Sequence, residues 1–243
     1  MKIIKVTNEL ELSKTAGEMI AGKVRSNPEI VLGLATGGTP VGTYKYMIED
    51  HKTNGTSYSK VSTVNLDEYI GLQKSNPNSY YSFMKETLFD HIDINQENTF
   101  IPDGNASDLE AECANYEKRI AELGGVDLQL LGIGRNGHIA FNEPGTSFDS
   151  RTQVVPLTKE TIEDNARFFS SREEVPTKAI SMGIQTILES KEIILLATGK
   201  SKADAMSKLI NGEVTEDFPA SALQKHSNVT IIADEEALSL VKE

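Results

Sequence analysis

The strongest constraint on the fold of this chain is a set of strand-length apolar runs that have no polar face. Ile30-Val31-Leu32-Gly33-Leu34 and Ile193-Ile194-Leu195-Leu196-Ala197 lack the alternation that would leave one side of a strand in water. Runs of this kind need helices above and below them, which is the setting of a parallel sheet. Strands are expected at Ile3–Val6, Ile30–Ala35, Val61–Leu66, Asp127–Ile133, Thr152–Pro156, Ala179–Met182, Glu192–Ala197 and Asn228–Ala233. Helical periodicity falls between them, at Glu9–Arg25, Val41–Lys52, Ser79–His91, Asp108–Leu123, Gly183–Ser190, Ser201–Asn211 and Asp234–Val241. The fold class that follows is α/β: a doubly wound, mostly parallel sheet with helices on both faces, a Rossmann-like three-layer sandwich. No Pro/Gly/Ser-rich linker interrupts the 243 residues, so 1–243 reads as a single domain.

Charge and cysteine usage narrow the function classes. With 24 Lys+Arg against 36 Asp+Glu the net charge is −12, which argues against nucleic acid or an anionic membrane as partner. Cys113 is the single cysteine, so no intrachain disulfide can form, and a reducing, cytoplasmic setting is expected. Cys113 lies in a helical pattern and reads as an inert, buried or half-buried thiol. No apolar run approaches the ~20 residues that span a bilayer, and the amino-terminal Met1-Lys2-Ile3-Ile4-Lys5-Val6 is a short strand rather than a signal core. No internal repeat or low-complexity segment is present.

In an open sheet of this class, ligands bind outside the carboxyl ends of the strands. Four strand ends carry unusual residues. The first, Ala35-Thr36-Gly37-Gly38-Thr39-Pro40, leads into a helix, and its glycines, hydroxyls and first-turn amides suit an anion. It lacks both G-x-G-x-x-G and the Gly-Lys-Ser/Thr of a Walker loop, and an ordinary tight turn reads equally well. The second, Asn65-Leu66-Asp67-Glu68-Tyr69, offers two adjacent acids, which suit a base with a partner or a metal site, or else a helix cap beside a solvated charge.

The third strand end is the richest in chemistry. Leu131 to Gly145 holds four glycines with Asn136, His138 and Glu143. No second His or Cys lies near at ligand spacing, so zinc is not expected, whereas His with a carboxylate suits proton transfer. A structural loop with a capping Glu is the alternative. The fourth, Ala197-Thr198-Gly199-Lys200-Ser201-Lys202, puts lysines at a helix start, where they oppose the dipole unless an anion is bound or water solvates them. Phosphate binding and acid–base chemistry are what the four ends share. From the residues, the expected ligand is a small phosphorylated molecule rearranged without a redox cofactor.

Taken together, these segments resemble the glucosamine-6-phosphate deaminase family. The similarity covers nearly the whole chain. It rests on Thr36-Gly37-Gly38-Thr39-Pro40, Asn65-Leu66-Asp67-Glu68-Tyr69, Ser79-Tyr80-Tyr81-Ser82-Phe83-Met84, Gly137-His138-Ile139-Ala140-Phe141-Asn142-Glu143-Pro144 and Asn165-Ala166-Arg167-Phe168-Phe169. The resemblance implies conversion of glucosamine 6-phosphate and water to fructose 6-phosphate and ammonia, with no metal or organic cofactor. It implies that Asp67 takes the C2 proton and returns one to C1, and that His138, oriented by Glu143, opens the pyranose ring. It also implies that Thr36, Gly37, Gly38, Thr39, Arg167 and Lys202 hold the phosphate. Oligomeric state stays open between monomer and homo-oligomer.

The chain departs from the family pattern in two ways. Many members carry Asp where this chain has Asn136, which cannot place negative charge beside His138 but can still hydrogen-bond. The sequence ends at Glu243, short of the carboxyl-terminal segment that longer members use, and Gln153 replaces their activator-binding arginine. Weak or absent activation by an N-acetylated sugar phosphate is therefore expected. Residues 157–177, with Arg167, Phe168-Phe169 and Pro176, read as a lid over the sugar; a plain surface helix and loop is the alternative. Two rival functions remain. A sugar-phosphate lactonase shares the fold and a Gly-His loop but has no need of Asp67 with Glu143. A sugar-phosphate sensor acting on transcription would need a helix-turn-helix and a basic face.

Overall fold

The structure, a computed structural model that describes residues 1–242, alternates strands and helices along the chain. In order these are β1 (Lys2–Val6), α1 (Glu9–Ser26), β2 (Val31–Leu34), α2 (Val41–Asn54), β3 (Ser62–Asn65), β4 (Asp67–Tyr69), α3 (Tyr80–Thr87), β5 (Thr99–Phe100), α4 (Leu109–Glu122), β6 (Leu128–Leu131), β7 (Gln153–Pro156), α5 (Lys159–Asn165), β8 (Lys178–Ser181), α6 (Ile184–Leu188), β9 (Glu192–Ala197), α7 (Ala203–Asn211) and β10 (Val229–Asp234). Seven strands form one parallel sheet in the order β1-β10-β9-β6-β2-β3-β5.

The two-faced apolar strands divide their side chains between two cores, as the period of two requires. Ile194 and Leu196 of β9 and Ile232 of β10 join Leu12, Ile20, Tyr44 and Met47 of α1 and α2 on one face. Ile193, Leu195, Ile231 and Ala233 join Tyr116 and Ile120 of α4 and Met206 and Leu209 of α7 on the other. Each fully buried Leu or Ile stabilises the fold by roughly 1.5–3 kcal/mol. The helices start where the sequence supplies acceptors: Asn8 and Asp108 cap α1 and α4 by accepting from Glu11 N and Ala111 N.

The expected mostly parallel doubly wound sandwich is present, with differences of detail. The segments read as strands at Thr152–Pro156 and Ala179–Met182 do not enter the main sheet. Their β7 and β8 form a separate antiparallel sheet with β4, in the order β4-β8-β7. The expected strand end at Asp67 is instead the first residue of β4. The helix expected at Asp234–Val241 is a run of turns with bonds such as Ser239 N to Glu236 O and Val241 N to Leu238 O. There the Asp234 carboxylate takes the N–H groups of both Gly199 and Ala237, which ties the segment to the loop after β9. The helix expected at Ser79–His91 stops at Thr87 and continues as a 3-10 turn over Phe89–His91.

Strand order sets the location of the site. From β2 the chain runs outward through β3 and β5, and from β6 outward through β9 and β10 to β1's edge. The loops that leave β2 and β6 therefore diverge, opening a crevice at their carboxyl ends.

Candidate active site

All four strand ends singled out in the sequence meet at this crevice. A cavity of about 190 Å³ is lined by Thr36, Gly37, Gly38 and Thr39 after β2, by Asp67, by Gly134 and His138 after β6, and by Arg167 and Lys202. Asn136 and Glu143 stand behind His138 rather than on the cavity wall. Tyr80, Thr161, Asp164 and Asn165 also line it. Sequence reading did not single these out by chemistry, although Tyr80 and Asn165 lie inside the segments that carry the resemblance.

The small sheet joins the two halves of the site. Asp67 of β4 pairs in register with Ser181 of β8. The Ser181 hydroxyl accepts the N–H of Phe141 at 3.1 Å, in the loop that bears His138. Asn142, fully buried, donates to Ile139 O and Met182 O and fastens the same loop to the end of β8. Within the loop, Gly134 N–H bonds to His138 O at 2.9 Å, and a Cβ on Gly134 would fall 2.3 Å from the His138 ring. The imidazole thus lies against bare backbone. Ala140, on the cavity wall, holds φ at 51°, a conformation that costs an L-residue about 1–2 kcal/mol.

The two carboxylates have opposite surroundings. Asp67 is only 6 % exposed, and among the described residues no donor reaches its side chain. Burial first, and the neighbouring Glu68 charge second, push its pKa up to about 8. Glu68 itself accepts the backbone N–H groups of Tyr69, Tyr80 and Tyr81, which pins the start of α3 beside β4. Burial raises the pKa of Glu68 as well, against those three bonds.

Glu143 is also buried, yet its pKa is drawn down to about 2: the burial penalty is outweighed by His138, Thr161 and Asn136. Asn136 Nδ2 donates to its Oε2 at 2.8 Å, and Thr161 donates its hydroxyl to Oε1. His138 Nδ1 stands 3.6 Å from Oε2, just beyond hydrogen-bond distance. With Nδ1 turned toward Glu143, the opposite ring nitrogen serves the cavity.

At the other end of the cavity the chemistry is cationic. Arg135 is occupied by Asp164 at 2.6 Å and Glu160 at 3.7 Å. Arg167 and Lys202 have no carboxylate within ion-pair distance among the described residues. Burial lowers the pKa of Lys202; Asp164 opposes this, while Arg135 and Arg167 add to it. The N-cap position of helix α2 is Pro40, which supplies no side-chain cap, and α7 likewise has none. Two uncapped helix starts and two unpaired cations around one cavity favour a phosphate-sized anion. Among the described residues no group of three or more His, Cys, Asp or Glu could hold a metal ion.

The family model for glucosamine-6-phosphate isomerases/6-phosphogluconolactonase matches residues 8–232. The chain belongs to this family. A Halalkalibacterium halodurans member named glucosamine-6-phosphate deaminase is 58% identical over 241 residues, 99% of this chain and 98% of the relative. Glucosamine-6-phosphate deaminase 1 of Bacillus subtilis is 55% identical over 240 residues, 99% of both. Among solved structures, a monomeric glucosamine-6-phosphate deaminase superposes with a TM-score of 0.97 at 55% identity, covering 99% of this chain and 100% of the other. A Trypanosoma cruzi 6-phosphogluconolactonase shares the fold, with a TM-score of 0.79 at 24% identity and cover of 98% and 96%. Among the described residues no helix is long and apolar enough to cross a membrane.

Proposed function

We propose that this chain is a glucosamine-6-phosphate deaminase, converting glucosamine 6-phosphate and water to fructose 6-phosphate and ammonia. The observation that carries the reading is the pairing, on one cavity, of an undonated buried carboxylate at Asp67 with a His138 backed by Glu143, opposite the unpaired cations Arg167 and Lys202. Full-length relatives at 55–58% identity support the same reaction.

Arg167 and Lys202, with the loop Thr36, Gly37, Gly38 and Thr39, hold the phosphate, Arg167 as a fork and Lys202 as a point charge. His138 takes the proton of the O1 hydroxyl and gives one to O5 as the C1–O5 bond breaks, leaving an aldehyde at C1. Glu143 steadies the cationic ring formed between the two transfers, and Asn136 keeps Glu143 in place. The C2 proton is now acidic. Asp67 removes it, the C2–H pair forms the C1–C2 double bond, and O1 takes up the proton that the substrate's ammonium gives up, which leaves a neutral enolamine. Asp67 then delivers its proton to C1, which leaves an iminium at C2. Water adds there, ammonia departs, and the ketone of fructose 6-phosphate remains. A pKa near 8 suits a base that must both take and return a proton close to neutrality. The substrate's ammonium, one bond from C2, favours the ionised carboxylate.

Residues 157–177 act as a lid. Helix α5 and the 3-10 turn at Ala166–Phe168 carry Thr161, Asp164, Asn165 and Arg167 onto the cavity, and Asn165 Nδ2 donates to the Tyr69 hydroxyl at 2.8 Å. Closure shields the enolamine from solvent. The chain works as one domain, as a monomer like its 0.97-TM-score relative, in the cytoplasm.

Purified protein tests the reading. Ammonia and fructose 6-phosphate should form from glucosamine 6-phosphate in equal amounts, with no faster-than-background opening of 6-phosphogluconolactone. Lactone hydrolysis without ammonia release would replace the deaminase with a lactonase.

A further inference from the structure

The two oxygens of Glu143 are served by different parts of the chain. Oε2 faces its own loop, where Asn136 Nδ2 donates at 2.8 Å and His138 Nδ1 lies at 3.6 Å. Oε1 faces α5, where Thr161 donates its hydroxyl and the Thr158 hydroxyl stands at 3.2 Å. Thr161 is 3 % exposed. Its position follows from the helix start: Thr158 is the N-cap of α5 and accepts the N–H of Thr161 at 3.2 Å. The capping turn that starts the helix thereby aims a hydroxyl at the carboxylate. The same helix is tied to the glycine loop by Asp164 on Arg135 and to β4 by Asn165 on Tyr69.

We infer that Thr161 is a positioning residue for Glu143, and that α5 completes the ring-opening pair when it sits over the cavity. This rests on the proposed role of Glu143 and deepens it. A carboxylate that must hold a fixed place behind His138 has one oxygen anchored by its loop and the other by the lid helix. With α5 lifted, Oε1 loses both hydroxyls, and the carboxylate is free to turn away from the ring. His138 would then be backed by Glu143 only with the lid down, so ring opening waits for a covered substrate. His138 is the one ionisable group within ion-pair distance of Glu143 among the described residues. Asp67 on β4, Asp164 and Arg167 around α5 and Lys202 before α7 line the cavity beyond it.

The test compares Thr161→Val, which keeps the side chain's volume and removes its donor, with Thr161→Ser, which keeps the donor. For Thr161→Val, kcat is expected to fall about tenfold, the cost of leaving a buried acceptor short of one partner, with KM within about twofold of wild type. A second, lower acid limb of its kcat–pH profile, set by Glu143 beneath the limb of Asp67, should move to higher pH, because the ionised Glu143 has lost a donor. Thr161→Ser should restore both. Binding of the reduced open-chain amino-alditol phosphate, which needs no ring opening, should be unchanged in both. If Thr161→Val does not fold, Thr161→Ala provides the same readouts. Wild-type kcat and pH profile in the Val variant, or equal losses in Val and Ser, overturns the inference. Glu143→Gln, assayed in parallel, separates the two levels. An impaired Gln variant beside an unaffected Thr161→Val removes the positioning role alone, while a fully active Gln variant removes the Glu143 role and this inference with it.

Discussion

Asn136 donates its side-chain amide to Glu143 Oε2 at 2.8 Å and accepts the backbone N–H of His138 with its own oxygen at 3.1 Å. The amide is therefore matched to an ionised Glu143, and it works on the carboxylate rather than on the imidazole. An aspartate here would place two carboxylates face to face, and one of them would hold a proton to higher pH. Asn136→Asp is expected to keep activity within about tenfold of wild type, since a shared proton can replace the amide hydrogen. The acid limb of kcat/KM should shift upward. An unchanged pH–rate profile would contradict this account of Asn136.

The raised pKa of Asp67 carries a stability consequence. Its folded-state value of about 8 lies above the ordinary aspartate value of 3.8, so between these values the folded chain binds the extra proton. Stability from this group falls as pH rises through that window and is fully lost above about 8. Asp67→Asn removes the buried charge, and its Tm should exceed that of wild type by about 2–4 °C at pH 8, with the gap narrowing toward pH 5. Thermal scans at the two pH values check this. A lower Tm for Asp67→Asn at pH 8 would show that the carboxylate is better satisfied than its surroundings indicate.

Glu68 adds to the same effect through like charge. Glu68→Gln should lower the Asp67 pKa and move the acid limb of kcat/KM to lower pH. The Gln side chain keeps one acceptor for the amides of Tyr69, Tyr80 and Tyr81, and circular dichroism would show that α3 is intact. A limb that stays in place would assign the raised pKa to burial alone.

Gly134 has no room for a side chain. A Cβ there would meet three atoms of the His138 ring at 2.3 to 2.5 Å. Gly134→Ala should displace the imidazole and cost about a hundredfold in kcat, with a smaller effect on KM because the phosphate-binding end is untouched. A variant with normal kcat would separate His138 from the chemistry.

Arg167→Ala and Lys202→Ala should each raise KM about 10- to 100-fold, the value of a charge-assisted contact, with a lesser change in kcat. Inorganic phosphate should inhibit the wild type competitively and each variant more weakly. Equal inhibition of all three proteins would move the phosphate elsewhere.

The main sheet was legible because its central strands are buried on both faces: β2 and β9 leave no polar side to misplace. The four loops were legible because glycines and charges break the apolar pattern where strands end. The small β4-β8-β7 sheet was not. Asp67-Glu68-Tyr69 is three residues long, and its pairing partner, Ser181, is more than a hundred positions away; no local pattern encodes that contact. Asp234–Val241 has helical spacing, but the Asp234 side chain is drawn into a long-range bond with Gly199, and turns result. Thr161 was missed for a related reason. In sequence it is one hydroxyl in a polar helix, and only the docking of α5 brings it to Glu143.

The central claim is that Asp67 removes the C2 proton. Glucosamine 6-phosphate carrying deuterium at C2, followed by ammonia release and by NMR of the label, tests it most directly in wild type and Asp67→Asn. A primary isotope effect is expected in the wild type and, in the variant, substrate binding with the label retained at C2 and turnover reduced about 10²- to 10⁴-fold. An Asp67→Asn enzyme that releases ammonia within a few-fold of the wild-type rate, with the C2 label lost, would contradict it.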